Sequence, residues 1–295
     1  MKKDVTFESA DESLAGHLYL PDGYRKGDRL PGIVVTGAWT TVKEQMPATY
    51  AAALAQRGYA ALTFDFRGWG ESGGEERFLE HPIRKSEDVV AAARFLASRD
   101  EIDSTRVGGL GICASSGYMV KAFIDSEDLK TIALAAAWLH DPGIALEVYG
   151  GEESVRGLIE TSRAAEVRFD ETGELSTIVA ASTTDADALM YQAPYYTEPD
   201  RGLIREYDNQ FNLASWEPWL TFDAISLARQ LPGPIRIVHS EAAVIPHGAK
   251  QFANHGGSYV DMIWLDGITQ FEFYDQPEPL RLAADAVAEH FKSPL

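Results

Sequence analysis

The amino-acid sequence predicts an α/β domain built on a mostly parallel central sheet with helices on both faces. Three observations lead to this prediction. Short apolar runs alternate with amphipathic segments along most of the 295 residues, which is the pattern of repeated strand–helix units. Glycine turns follow several of the apolar runs, as at the ends of buried strands. Hydrophobic residues make up 45% of the chain, which is typical of a globular protein with a sizeable core.

Eight segments have the length and apolar character of strands. The first two alternate apolar and polar residues, as in an opening hairpin, and the others are the mainly apolar runs of buried strands. In chain order the predicted strands are residues 5–9, 14–20, 31–37, 59–66, 106–110, 131–139, 235–239 and 259–265.

Helices are predicted between these strands. Residues 46–57 are rich in alanine and are followed by Gly58, which suits the C-terminus of a helix. In residues 87–99 four apolar side chains recur at the spacing of one helix face. The other predicted helices are residues 116–123, 248–254 and 279–291.

Residues 141–220 interrupt this alternation. They are richer in acidic and aromatic residues and lack a clean period. We interpret them as an inserted helical cap over the strand ends, with residues 1–140 and 221–295 forming the core. A peripheral packing or dimerisation element is the alternative interpretation. The aromatic residues of the cap, among them Tyr207 and Trp216, are candidates for lining a substrate cleft.

Composition and charge exclude several classes of function. Asp and Glu number 45 against 26 Lys and Arg, giving a formal net charge of −19. Such a surface repels nucleic-acid phosphates and anionic membranes, so we expect neither as a partner. No signal peptide is evident, and no apolar run approaches the roughly 18 residues of a membrane span. The single cysteine permits no internal disulfide and fits a reducing compartment, so we expect a cytoplasmic protein.

The most informative segment is residues 111–115, Gly-Ile-Cys-Ala-Ser. It follows an apolar strand and precedes a helix-like segment, and the small residues on either side of Cys113 permit a sharp turn. This is the pattern of a nucleophile elbow, with cysteine where serine is usual. The positive end of the following helix would favour the reactive thiolate. A buried, unreactive cysteine at a strand end is the alternative interpretation.

Residues 65–72, Asp-Phe-Arg-Gly-Trp-Gly-Glu-Ser, form a second specific motif. Its glycines allow a tight turn, which Asp65 and Arg67 can hold in place. Together with the elbow, this D-x-R-G-x-G-x-S pattern resembles the α/β-hydrolases. It is most similar to the bacterial dienelactone-hydrolase-like branch, near the X-Pro dipeptidyl-peptidase catalytic domain. The resemblance extends over essentially the whole chain and implies the α/β-hydrolase fold.

The resemblance also implies an oxyanion hole, a pair of backbone N–H groups that bind the negative oxygen formed during attack on a carbonyl. Residues 36–39, Thr-Gly-Ala-Trp, occupy the position of the family's H-G-x-x loop. The donors would be the amide of Ala38 or Trp39 and the amide of Ala114. Trp39 is a candidate wall of the substrate pocket, with ordinary core packing as the alternative.

The chain departs from the family pattern at the two residues that would complete a catalytic triad. Gln270 stands where related sequences carry histidine, and glutamine cannot take up a proton near neutral pH. Alanine occupies the expected acid position, so Glu241, the nearest carboxylate, is either a replacement acid or a solvated turn residue. His247, on a loop at the pocket rim, is a candidate catalytic base. His140, after the sixth strand, is a candidate base or substrate-binding residue, and structural roles stay open for both histidines.

The sequence therefore predicts an enzyme in which Cys113 attacks the carbonyl of an ester, lactone or thioester of a small molecule. Gln270 would orient the substrate or water. Two other classes stay open: a cyclase, lyase or acyl transferase that avoids water, and a catalytically silent ligand-binding protein. No cofactor or metal is expected, because the seven histidines are scattered and no nucleotide-binding glycine motif occurs. A homodimer is compatible with this fold, although no residue pattern establishes one.

Overall fold

The computed structural model describes residues 1–293 and 295 of the chain. The strands in chain order are β1 (Lys2–Ser9), β2 (Glu12–Tyr19), β3 (Leu30–Thr36), β4 (Ala60–Phe64), β5 (Ile102–Ile112), β6 (Leu129–Ala135), β7 (Thr177–Val179), β8 (Ala181–Ser182), β9 (Met190–Tyr191), β10 (Gln210–Asn212), β11 (Ile235–His239) and β12 (Val260–Trp264). The α-helices in chain order are α1 (Met46–Gln56), α2 (Pro82–Ala97), α3 (Ser115–Asp125), α4 (Pro142–Val148), α5 (Gly151–Thr172), α6 (Pro194–Thr197), α7 (Trp216–Leu220), α8 (Ala224–Leu227), α9 (Pro246–Gly256), α10 (Glu272–Asp275) and α11 (Pro277–Phe291).

Eight of these strands form one sheet in the order β1-β2-β4-β3-β5-β6-β11-β12. Strand β2 is antiparallel to both of its neighbours, and all other pairs are parallel. The central strands are buried on both faces, as expected for a parallel sheet covered by helices. The predicted mostly parallel sheet with flanking helices is confirmed.

Helices cover both faces of the sheet. A side chain added at Gly109 would meet Met119 of α3, whereas one added at the preceding Gly108 would meet Phe291 of α11. Because successive residues of a strand point to opposite faces, α3 and α11 lie on opposite sides of β5. Helix α2 packs beside α3, and α1 packs beside α11. Strand β5, which leads to the elbow, is therefore enclosed by two helix layers.

Among the differences from the sequence-based expectation, those at helices α2 and α5 are the most informative. Helix α2 begins at Pro82, five residues before the predicted start, because the ring of His81 caps it by accepting a hydrogen bond from the Arg84 N–H at 3.4 Å. Helix α5, with 22 residues, lies in the segment for which the sequence predicted a helical cap without the bounds of any helix. Its fully buried positions are Val155, Ser162 and Ala165, so small and polar side chains obscure its apolar stripe. Helix α5 lies within residues 141–220, whose role as a cap stays a prediction.

The loop after β4 is tied down by a buried ion pair. Asp65 accepts hydrogen bonds from the Lys43 backbone N–H and Nζ, both at 2.8 Å, and from the Glu71 N–H at 3.0 Å. Gly70 has a φ of +46°, and a side chain there would lie 2.3 Å from the Asp65 carboxylate. Arg67 holds the loop from its other side through a 2.8 Å contact with the buried Asp88. The motif thus has the structural role that its residues predicted.

No helix in the described part of the chain is long and apolar enough to cross a membrane.

Substitution of Asp65 by alanine is expected to lower the free energy of unfolding by about 3–5 kcal/mol, because it leaves the buried ammonium of Lys43 without its main partner. Denaturant titration followed by tryptophan fluorescence measures this change. The matched control is Glu278→Gln, which breaks an exposed ion pair with Arg281 and is expected to leave the unfolding midpoint in place. Equal effects of the two variants would contradict a structural role for the buried pair.

Candidate active site

Cys113 lies at a sharp, strained turn between β5 and α3. Its φ is +57°, in the left-handed region that costs a residue with a side chain about 1–3 kcal/mol. A side chain at Gly111 would lie 2.8 Å from the carbonyl oxygen of Ser115, so only glycine permits this close approach. The Ser115 hydroxyl fixes the turn, accepting from the Ile112 N–H at 3.0 Å and contacting the Thr36 hydroxyl at 2.9 Å. The turn has the geometry that the elbow pattern predicted.

The elbow borders a largely apolar cavity of about 460 Å³. Aromatic and aliphatic side chains dominate its wall, and none of the lining residues is charged at neutral pH. The lining residues are Trp39, Cys113, Ala114, Trp138, Val148, Tyr149, Leu189, Met190, Tyr196, Trp216, Trp219, Val244, Gln270, Phe271 and Tyr274.

Gln270 is held beside Cys113 by three hydrogen bonds. Its Oε1 accepts from the Val244 N–H at 3.2 Å, and its Nε2 donates to the Ala136 carbonyl and to the Tyr274 hydroxyl, both at 3.0 Å. The backbone partners fix the orientation of the amide, since a donor must face the oxygen and an acceptor must face the nitrogen. Both hydrogens of Nε2 are thereby engaged, and the phenol of Tyr274 is one of the polar groups near the thiol.

Burial raises the pKa of the Cys113 thiol to about 11. Hydrogen bonding with Tyr274, the Ala114 amide and Gln270 lowers the pKa in part, but the loss of water around the sulfur is the larger effect. The thiol is therefore protonated at neutral pH. The N-terminus of α3 was predicted to favour the thiolate, but burial among apolar groups is the larger effect and raises the pKa of the thiol above its ordinary value.

The candidate oxyanion loop after β3 (residues 36–39) is followed by a residue that hydrogen-bonds to a buried carboxylate. Thr40 has a φ of +59°, and its N–H donates to Oε1 of the buried Glu80 at 2.8 Å. The same carboxylate contacts Lys85 at 2.7 Å and accepts from the Tyr118 hydroxyl at 3.0 Å. This buried network fixes the backbone next to Ala38 and Trp39. Trp39 and Ala114 line the cavity, and Ala38 is buried beside Trp39.

Trp216 also lines the cavity, as predicted for the cap aromatics, but Tyr207 does not. The Tyr207 ring is buried behind Tyr196, and its hydroxyl contacts the Thr40 hydroxyl at 3.0 Å. Tyr207 therefore supports the candidate oxyanion loop instead of contacting a ligand directly.

His140 is likewise behind the cavity wall. Its Nδ1 accepts from the Trp138 indole at 3.1 Å, and its Nε2 lies 2.9 Å from the Trp219 carbonyl, to which it donates. Burial lowers the pKa of His140, so the ring is neutral and both nitrogens are engaged. The structure thus corrects the prediction for His140: it holds two cavity tryptophans and has no free nitrogen for a proton from Cys113.

The structure also corrects the predictions for Glu241 and His247. The Glu241 side chain is 65% exposed and pairs with Lys250 at 2.7 Å, so it is the solvated turn residue of the two alternatives. His247 lies on α9, where its side chain is 40% exposed and its Nε2 is 3.6 Å from Glu147. Neither residue lines the cavity, so the structure brings neither of them to Cys113.

Sequence reasoning missed Tyr274, the residue that completes the polar edge of the cavity. A signal was present, since Tyr274 follows Gln270 by four residues, a spacing that places two side chains together on a helical turn. The other lining residues that the sequence did not identify come mainly from residues 141–220. That segment has no regular hydrophobic period that would indicate which side chains point inward. Among residues 1–293 and 295, no group of three His, Cys, Asp or Glu side chains is placed to hold a metal ion.

The chain is similar to several known proteins. Residues 12–145 match the model of the X-Pro dipeptidyl-peptidase (S15) family. Over its full length the chain is 27% identical to protein YcjY of Escherichia coli (strain K12), which it also covers completely. Shorter matches include the polyketide transferase claH of Penicillium crustosum (32% identity, 38% of this chain and 37% of claH) and the thiohydrolase aneE of Aspergillus aculeatus (32%, 40% of this chain and 36% of aneE).

Two solved structures share the architecture over almost the whole chain. The crystal structure of PA2218 from Pseudomonas aeruginosa has a TM-score of 0.86 at 24% identity, covering 100% of this chain and 94% of that one. The α/β-hydrolase GrgF from Penicillium sp. sh18 has a TM-score of 0.82 at 16% identity, covering 99% of both chains. With the strand order and the turn at Cys113, these likenesses show that the chain has the α/β-hydrolase fold.

Proposed function

We propose that the protein cleaves esters or thioesters of small, uncharged acyl groups, with Cys113 as the nucleophile. The observation that carries this proposal is the position of Cys113 at the strained turn, where it borders the largely apolar cavity. The amide of Ala114 and that of Ala38 or Trp39 would bind the oxyanion. A pair of such backbone donors stabilises the charge that develops on the carbonyl oxygen during attack. Lactones belong to the same reaction class.

In the proposed step, the sulfur of Cys113 forms a bond to the carbonyl carbon and the bond from that carbon to the leaving oxygen or sulfur breaks. The thiol proton ends on the leaving group, which departs as an alcohol or a thiol. The product is an S-acyl cysteine. No cofactor is needed for this balance, because the reaction is not a redox change.

The nature of the cavity supports an uncharged, largely apolar acyl group. Its wall has four tryptophans and three tyrosines, and it offers no charged side chain to pair with an ionised substrate. The names of two relatives, a thiohydrolase and a polyketide transferase, favour a thioester as the acyl donor.

The acyl group of the S-acyl cysteine would next pass either to water or to another acceptor. Hydrolysis requires a base that deprotonates water, and histidine is usual at that place. Here Gln270 occupies the space next to Cys113, and the titratable lining groups are the thiol and tyrosines whose pKa values burial raises. Transfer of the acyl group to an acceptor other than water is therefore a second candidate function. A cytoplasmic location and a homodimer stay predictions.

Incubation with p-nitrophenyl hexanoate at neutral pH is expected to add one hexanoyl group to Cys113, detected by intact mass and peptide mapping. We expect this adduct to persist for minutes, because no base activates water for its removal. Cys113→Ala is the control, and it should gain no mass. An enzyme that releases nitrophenol without any adduct on Cys113 would contradict the proposed nucleophile, and an adduct lost within seconds would contradict slow deacylation.

The rate of Cys113 alkylation by iodoacetamide is expected to rise about tenfold for each pH unit between pH 7 and pH 10. The sign follows from the raised pKa: below about 11, each unit of pH increases the thiolate fraction tenfold. The unfolded protein in denaturant is the control, and its rate should level off above about pH 9, since a free cysteine has a pKa of about 8.5. A plateau at pH 7 in the folded protein would show an ionised thiol and overturn this account.

A further inference from the structure

We propose that Tyr274 is a catalytic residue that relays the proton of the Cys113 thiol to the leaving group during acylation. This inference rests on the proposed function and deepens it. It answers a difficulty that the replacement of histidine by Gln270 creates, namely how a protonated thiol can attack a carbonyl without a base.

The phenol of Tyr274 has one hydrogen to donate and two lone pairs that accept. The Gln270 Nε2 donates to the oxygen at 3.0 Å and so occupies one lone pair. The second lone pair and the hydroxyl hydrogen are left for the thiol and for a ligand. Tyr274 and Cys113 line the same cavity, and Gln270, which bonds the Tyr274 oxygen, lines it with them. The geometry therefore provides one accepting and one donating position at the same oxygen.

The surroundings hold this oxygen in place. The ring of Tyr274 is buried on α10, with the ring of Tyr195 at 5.1 Å and that of Phe271 at 5.8 Å between centroids. The next residue, Asp275, is fixed by a 2.7 Å ion pair with Arg201. Burial raises the pKa of the Tyr274 phenol well above its ordinary value, so the group acts as a neutral relay and is not itself a base.

The step balances without another reactant. As the sulfur of Cys113 bonds to the carbonyl carbon, the thiol proton moves to the oxygen of Tyr274. The hydroxyl proton of Tyr274 moves to the leaving sulfur or oxygen as its bond to carbon breaks. Tyr274 ends the step as a neutral phenol, ready for another turnover. A strongly basic leaving group needs this proton, whereas a weakly basic one can depart without it.

The test compares two thioesters of one acyl group, S-ethyl hexanethioate and S-(4-nitrophenyl) hexanethioate, in single-turnover acylation followed by intact mass. In Tyr274→Phe we expect the rate with the ethyl thioester to fall about 10²-fold or more, which is the usual contribution of a positioned proton donor. The nitrophenyl thioester should lose much less, so the ratio of the two rates rises at least tenfold. Tyr196→Phe, which alters another buried cavity tyrosine, is the matched control and should leave the ratio unchanged.

The possible outcomes separate the two proposals. An equal loss with both thioesters in Tyr274→Phe would indicate a structural role only and overturn the relay. Failure of the wild-type protein to be acylated by either thioester, while iodoacetamide still labels Cys113, would overturn the proposed function and the relay with it. If Tyr274→Phe does not fold, Gln270→Met tests the same relay, because it removes the hydrogen bond that orients the phenol, and the rate ratio should rise in the same direction.

Discussion

The site depends on the left-handed backbone at Cys113, because this turn brings the end of β5, the start of α3 and the thiol to one point. The conformation is unfavourable by about 1–3 kcal/mol, and surrounding hydrogen bonds offset the cost. The Cys113 N–H donates to the Ala135 carbonyl at 3.1 Å, and the Cys113 carbonyl accepts from Trp138 and Ser116, both at 3.0 Å. These bonds connect the turn to β6 and to the first tryptophan of the cavity wall. A relaxed backbone here would move the thiol and that wall together.

Charged side chains lie behind the loops that form the cavity, whereas the cavity wall itself has none. The loops that carry the site are braced by buried ion pairs, Lys85 with Glu80 behind Trp39 and Lys43 with Asp65 after β4. The cavity wall has no charged side chain and presents aromatic rings and a few neutral hydrogen-bonding groups. Buried pairs are costly to form but specify geometry when each partner is satisfied. Here they fix the loops without exposing a charge to the ligand.

The sequence was sufficient for the sheet, the elbow and the position of Gln270, because each rests on local rules: apolar periodicity, small residues at a turn, and a motif at fixed spacing. The sequence was insufficient where packing between distant segments determines the direction or the burial of a side chain. Whether His140 faced the cavity or its outer side depended on Trp138 and Trp219, which approach it from different segments. The thiol pKa depended in the same way on burial by side chains that reach the cavity from several segments of the chain. Tyr274 was accessible to local reasoning, since it follows Gln270 by four residues and the side chains of the two residues bond to each other.

The hydrogen bond from the Val244 N–H to Gln270 limits what a histidine at the same position could do. A histidine placed in the same space would have to accept that bond with one ring nitrogen and would carry its proton on the other. The protonated nitrogen would then face the Ala136 carbonyl and Cys113, and the ring could not remove a proton from the thiol. Gln270→His alone would therefore not supply a working base. A working base would also require a group near Val244 that accepts a hydrogen bond from the ring.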